Sequence, residues 1–156
     1  MAEEIERKFL LADDSWRDGT PGERIAQGYL SQDPDRTVRV RIAGGSAWLT
    51  IKGRSQDITR AEFEYDIPLA DARELLDICL PSVIEKTRHC VLYGGHVWEI
   101  DVFHGENEGL VVAEVELADE SVSPEIPPWI GREVSADARY FNSCLAVRPF
   151  TQWDAS

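Results

Sequence analysis

Apolar and polar positions alternate along most of this chain. Ile5, Arg7 and Phe9 share one side of a first segment, with Glu4, Glu6 and Lys8 on the other. Over 38–42, Val38, Val40 and Ile42 oppose Arg39 and Arg41; over 48–52, Leu49 and Ile51 oppose Thr50 and Lys52. Phe63, Tyr65 and Ile67 oppose Glu62, Glu64 and Asp66, and around 83–93 Lys86 and Arg88 share a face. Trp98, Ile100 and Val102 oppose Glu99, Asp101 and Phe103, and Ala113, Val115 and Leu117 oppose Glu114 and Glu116. A period of two is the mark of strands with unlike faces. A further short strand is expected over 27–31. Helical spacing occurs in two places. Over 69–80, Leu69, Ala72, Leu75, Leu76 and Cys79 recur on one side and Pro81 ends the run; over 135–147, Ala138, Phe141 and Leu145 do so, with Ser135 as the expected N-cap. A short helix is expected near 13–18. The pattern predicts about seven or eight antiparallel strands and two or three helices. Asp33-Pro34-Asp35, Gly44-Gly45-Ser46, Gly94-Gly95 and the stretch from Pro124 to Pro128 are the turns or loops between them.

The polar faces are unusual because they are almost wholly charged. Eight acids (Glu4, Glu6, Glu62, Glu64, Glu99, Asp101, Glu114, Glu116) and six bases (Lys8, Arg39, Arg41, Lys52, Lys86, Arg88) occupy them. All three lysines of the protein lie on these faces and none on the evident loops. Solvation alone would scatter lysines over loops and helix surfaces. The charges are also sorted by sign, mostly as pairs two residues apart. Like charges so placed repel unless opposite charge lies between them. Carboxylate pairs suit a hard divalent cation with oxygen ligands, such as Mg²⁺ or Mn²⁺. Arginine and lysine pairs suit phosphate oxygens. Together they suggest a metal–polyphosphate complex. If the sheet closes into a barrel, the charges line a wet lumen and the apolar faces point outward under helices.

Composition narrows the partners. The chain has 156 residues and a net charge of −13, which argues against a general nucleic-acid binder or a polybasic membrane binder. It also predicts that binding of a polyanion depends strongly on metal. No apolar run approaches the length of a membrane-spanning helix. The start, Met1-Ala2-Glu3-Glu4-Ile5-Glu6, lacks the basic and apolar stretches of a secretory leader. Three cysteines without a CxxC pair read as thiols in a reducing cytosol, so a cytoplasmic protein is expected. We expect one domain over 1–156.

Glu4-Ile5-Glu6-Arg7-Lys8 resembles the ExExK signature of the CYTH superfamily, the triphosphate tunnel metalloenzymes. The resemblance continues through Arg39-Val40-Arg41, Thr50-Ile51-Lys52, Glu62-Phe63-Glu64 and Glu85-Lys86-Thr87-Arg88. It goes on with Glu99-Ile100-Asp101-Val102-Phe103, Glu114-Val115-Glu116-Leu117 and Tyr140-Phe141-Asn142-Ser143-x-Leu145. The motifs stand in family order at family spacing, and the length is similar to the short bacterial members. The resemblance implies a mainly β, α+β fold: a closed eight-stranded antiparallel barrel forming a tunnel, with helices outside. It implies a triphosphate substrate and Mg²⁺ or Mn²⁺. Carried over by motif, Lys8, Arg39, Arg41, Lys52 and Arg88 would grip phosphates. Glu4, Glu6, Glu62, Glu64, Glu114 and Glu116 would supply metal ligands, with Asp101 a further candidate. Lys86 resembles a lysine beside the reacting phosphate, able to protonate a leaving group or orient water, and Tyr29 resembles a position near the phosphate being transferred. The activity expected first is inorganic tripolyphosphatase. Adenylate cyclase of class IV and thiamine triphosphatase are alternatives, and a non-catalytic polyphosphate-binding module is a third reading. A homodimer is left open.

Overall fold

The computed structural model describes residues 3–153. Its strands, in chain order, are β1 (Glu3–Leu11), β2 (Glu23–Ser31), β3 (Arg36–Ala43), β4 (Ser46–Gly53) and β5 (Thr59–Ile67), then β6 (Ile84–Tyr93), β7 (His96–Phe103), β8 (Val111–Glu116) and β9 (Ile130–Glu133). Helix α1 (Leu69–Asp77) joins β5 to β6, and α2 (Asn142–Val147) follows β9. All strand pairings are antiparallel, in the order β5-β4-β3-β2-β6-β7-β8-β1-β9, and β5 also pairs with β1. That last pairing turns eight of the strands into a closed barrel, with β9 appended to the end of β1. The closing seam is short: Glu3, Glu4 and Ile5 face Ala61, Arg60 and Thr59. Closure removes the two open edges that a sheet of this size would otherwise expose.

The period-two pattern decides which face goes inside. Phe9, Trp98, Ile100, Ala113, Val115 and Leu117 point outward and pack beneath Trp16 and Trp129. Trp98 lies 5.6 Å from the Phe9 ring and 6.0 Å from Trp129. Across the barrel, Val40 and Ala47 pack outward under Ala72 and Cys79 of α1 and its C-terminal extension. Gly28 permits that approach, since a Cβ there would come within 2.7 Å of the Cys79 Cβ. The expectation of helical cover outside is met by α1 alone. Loops carrying Trp16 and Trp129 cover the β1–β8–β7 face, and Phe63 and Tyr65 on β5 stay exposed.

A third apolar cluster fills one end of the barrel. Tyr29, Ile84, Phe103 and Val112 meet Val134, Tyr140, Leu145 and Ala146 there, so the α2 segment acts as a stopper. The single helix expected over 135–147 is in fact a 3₁₀ turn (Ala138–Tyr140) followed by α2. Phe141 between them is extended (φ −68°, ψ 135°), which carries its ring over the Lys8 ammonium. Ser135 does not cap a helix: its hydroxyl accepts from the Lys8 backbone N–H at 2.9 Å and donates to Glu133. Strand β9, which brings Ser135 to β1, has no clear alternation and was not expected. Helix α1 stops three residues earlier than expected because the Leu80 N–H turns away to the Tyr29 carbonyl. The strand expected over 27–31 is nine residues long. No helix forms near 13–18, where Asp13 accepts from the Ser15 N–H in a local turn and Trp16 is drawn into the core. The Gly94-Gly95 turn of the β6–β7 hairpin has φ of +58° and +80°, the left-handed values a tight hairpin needs.

Because the barrel interior is polar, the outer clusters carry most of the hydrophobic stabilisation. Trp98→Ala, at a fully buried position, is expected to cost about 3–5 kcal/mol in urea unfolding.

Candidate active site

The charged faces meet in one cavity of about 240 Å³ inside the barrel. Ring order sorts its wall by sign. The acids come from neighbouring strands: Glu99 from β7, Glu114 and Glu116 from β8, Glu4 and Glu6 from β1, Glu62 and Glu64 from β5. The bases come from the opposite arc: Lys52 from β4, Arg39 and Arg41 from β3, Lys86 and Arg88 from β6. Lys8 from β1 and Arg60 from β5 are bases set in the acidic arc. Register aligns the pairs, with Lys52 opposite Glu62, Lys8 opposite Glu114 and Arg88 opposite Asp101.

Around the wall, opposite charges touch. The Lys52 ammonium donates to both Glu4 oxygens, at 3.0 and 3.2 Å, and lies 3.4 Å from Glu62. Lys8 reaches Glu114 at 3.4 Å and the Tyr140 carbonyl at 3.2 Å. Arg39 donates to Thr50 at 3.1 Å and lies 3.6 Å from Glu64. Asp101, 1% exposed, takes Lys86 at 2.8 Å and both Arg88 donors at 2.8 and 3.0 Å. The fork geometry of the last pair is the strong, bidentate kind. Despite burial, Lys86 and Arg88 hold the Asp101 carboxyl well below the usual range. Burial, with Arg88 and Arg41 nearby, pushes the Lys86 ammonium down to about 7 against the pull of Asp101.

Two bases are incompletely matched. Arg41 has no carboxylate partner among the described residues; its Nε donates to Gln27 at 2.9 Å. Burial and its neighbours Arg39 and Arg88 lower its pKa to about 10. The buried Nε of Arg39 has no acceptor among the described residues. An uncompensated buried cation and an orphan donor are costly unless an anion completes them. On the acidic arc the reverse holds. Burial, with Glu114 and Glu4 alongside, raises the Glu6 carboxyl well above its usual value. Burial and the adjoining Glu4 raise Glu62 to about 7. This crowding fits a hard cation. Among the described residues no three acids converge into a ready-made metal cage. That is how Mg²⁺ is commonly held, by one or two carboxylates completed by water and substrate oxygens.

Of the expected site residues, Glu4, Glu6, Lys8, Tyr29, Arg39, Arg41, Lys52, Glu62, Glu64, Lys86, Arg88, Glu114 and Glu116 line this cavity. Asp101 does not. Expected as a metal ligand, it sits behind the wall with both oxygens taken by Lys86 and Arg88. Tyr29 is both a wall residue and part of the apolar stopper. Four participants were not foreseen. Gln27 and Asn142 are neutral amides bonded to the bases, and Thr50 bridges Arg39 to Glu64. Arg60 lines the cavity while donating to the Gly53 carbonyl and the Thr37 hydroxyl. Arg60, Glu62 and Glu64 share a strand face, a signal that was readable; the amides carry no charge pattern, and Asn142 stood out only as part of the quoted Tyr140-Phe141-Asn142 motif.

Residues 2–144 match the CYTH domain. An inorganic triphosphatase of Acetivibrio thermocellus is 46% identical over 96% of this chain and 97% of its own length. One from Nitrosomonas europaea is 36% identical, over 92% and 97%. A solved crystal structure of an inorganic triphosphatase superposes with a TM-score of 0.66 at 35% identity, covering 94% of this chain and 96% of its own.

Removing Asp101 strands two buried cations together. Asp101→Asn is expected to lower stability by about 3–5 kcal/mol in urea unfolding. Glu64→Gln, which loosens a pair with a half-exposed member, should cost less than about 1 kcal/mol.

Proposed function

Because this chain belongs to the CYTH domain family, we propose that it is a metal-dependent hydrolase that cleaves a phosphoanhydride bond of inorganic tripolyphosphate held in the barrel lumen. The observation that carries this reading is Arg41, a base without a carboxylate partner, set between Arg39 and Arg88 on the basic arc. Such a site asks for a polyanion. The relatives that match nearly the whole chain are inorganic triphosphatases, which supports the same substrate here.

Family membership implies dependence on a divalent metal, and Mg²⁺ or Mn²⁺ is our assignment. Glu4, Glu6, Glu62, Glu64, Glu114 and Glu116 would hold it. When bound, it supplies charge neutralisation of the phosphate oxygens and a water of lowered pKa. Lys8, Arg39, Arg41, Lys52 and Arg88 grip the phosphates and fix their axis. Phosphoryl transfer is largely a matter of such positioning and charge stabilisation. Water adds to a terminal phosphorus, the bridging P–O bond breaks, and orthophosphate and pyrophosphate leave. Lys86 is pinned by Asp101 and Asn142, and its lowered pKa suits it to donate a proton to the departing bridge oxygen. Asp101 acts through Lys86 and Arg88 as a positioning residue rather than as a metal ligand. We assign the Tyr29 hydroxyl to the phosphate being transferred. No helix among the described residues is long and apolar enough to cross a membrane, and we propose a cytoplasmic protein acting on a small molecule.

Tripolyphosphate, ATP and thiamine triphosphate, each with Mg²⁺, Mn²⁺ or EDTA, separate the readings by their products. We expect orthophosphate from tripolyphosphate, fastest of the three, abolished by EDTA. Replacing Glu4 and Glu6 together by Gln should slow it by a factor on the order of 10²–10³. Cyclic AMP and pyrophosphate from ATP would make it a cyclase, and the fastest release from thiamine triphosphate would reassign the substrate. Tight binding of tripolyphosphate without turnover would make it a binding module.

A further inference from the structure

An amide relay crosses from the stopper to the basic arc. The Lys86 ammonium donates to Asn142 Oδ1 at 2.8 Å, Gln27 Nε2 donates to the same oxygen at 2.8 Å, and Arg41 Nε donates to Gln27 Oε1 at 2.9 Å. Its polarity is forced. Lysine and arginine have no acceptor, so each must face a carbonyl oxygen. Gln27 therefore turns its oxygen to Arg41 and its nitrogen to Asn142. Asn142 then turns its oxygen to both Gln27 and Lys86. The Asn142 Nδ2 is left pointing elsewhere, and it makes no hydrogen bond among the described residues. Asn142 lines the cavity, and its Nδ2 is neither bonded to another described residue nor wholly buried.

We propose that Asn142 is a substrate-binding residue: its Nδ2 donates to a phosphate oxygen, while its Oδ1 holds Lys86 and, through Gln27, Arg41 in place. This inference rests on the triphosphate reading of the lumen and names a neutral ligand to it. A neutral donor suits this spot. A fourth cation beside Lys86, Arg41 and Arg88 would lower their pKa values further, whereas an amide adds donors without charge. The relay also couples the groups. One side chain of α2 sets both the base beside the bridge oxygen and the base without a carboxylate partner.

Two variants separate the donor from the scaffold. Asn142→Asp keeps an oxygen for Lys86 and Gln27 but replaces the donor by an acceptor. Asn142→Ala loses both. Calorimetric titration with tripolyphosphate in Mg²⁺ should show Asn142→Asp at least about tenfold weaker than the wild-type protein, and no tighter than Asn142→Ala. In turnover, Asn142→Asp should raise KM more than it lowers kcat, whereas Asn142→Ala should lower kcat as well. A measurement on the wild-type chain needs no variant. The Asn142 side-chain amide resonances, assigned by their absence from Asn142→Ser, should move when tripolyphosphate is added. Binding by Asn142→Asp within a few-fold of wild type, or amide resonances that stay put, overturns the proposal. A wild-type protein that binds tripolyphosphate without hydrolysing it would sink the hydrolase reading alone, because the same titrations still report on Asn142.

Discussion

Three residue pairs close the barrel, and everything that follows depends on them. When Glu3–Ile5 meets Thr59–Ala61, the acids of β1 and β5 are forced into the same enclosed space as the bases of β3 and β6. In an open sheet those faces would be solvated and their mutual repulsion screened. Inside the ring they have only one another and whatever enters. The lumen settles this by dividing into an acidic arc and a basic arc, tied at the seams by Lys52–Glu4 and Arg88–Glu99, with Lys8–Glu114 inside the acidic arc. What remains uncompensated on each side, Glu6 and Glu62 on one and Arg41 and Arg39 Nε on the other, fits the ligand we propose: an anion carrying a cation.

The interior charge also shapes the rest of the fold. A barrel that cannot use its lumen as a hydrophobic core must pack outward, which explains the aromatic group of Trp98, Phe9 and Trp129 and the close seat of α1 on Gly28. An apolar cluster fills the end of the interior closed by Tyr140 and Leu145. That stopper carries Asn142 into the cavity wall, so the segment that closes the barrel also reaches its chemistry.

Much of this could be read from the amino-acid pattern, and the reasons for the rest are physical. Period-two alternation located seven strands, with an eighth expected as a short segment over 27–31, and it told one face from the other because one was charged and the other apolar. It could not find β9, four residues long with no alternation. It overran α2, because Phe141 leaves the helical conformation for a tertiary contact with Lys8. Pairs such as Glu4/Glu6 and Arg39/Arg41 announced the site by sign and spacing. The same reasoning put Asp101 with the metal carboxylates, since a pattern of sign cannot say that two bases will enclose one acid. Gln27, being neutral, left no mark, and Asn142 stood only within the Tyr140-Phe141-Asn142 motif of the resemblance, with no role assigned to it.

The central claim is that anion and cation complete the two arcs together. Its most direct test is the affinity of the protein for tripolyphosphate at a series of Mg²⁺ concentrations, measured by calorimetry. If the arcs act together, each ligand strengthens the other by the same factor. We expect weak binding in EDTA, where a net charge of −13 and the acidic arc oppose the polyanion, and binding at least about 100-fold tighter with saturating Mg²⁺. Equal affinity with and without the metal would contradict the account.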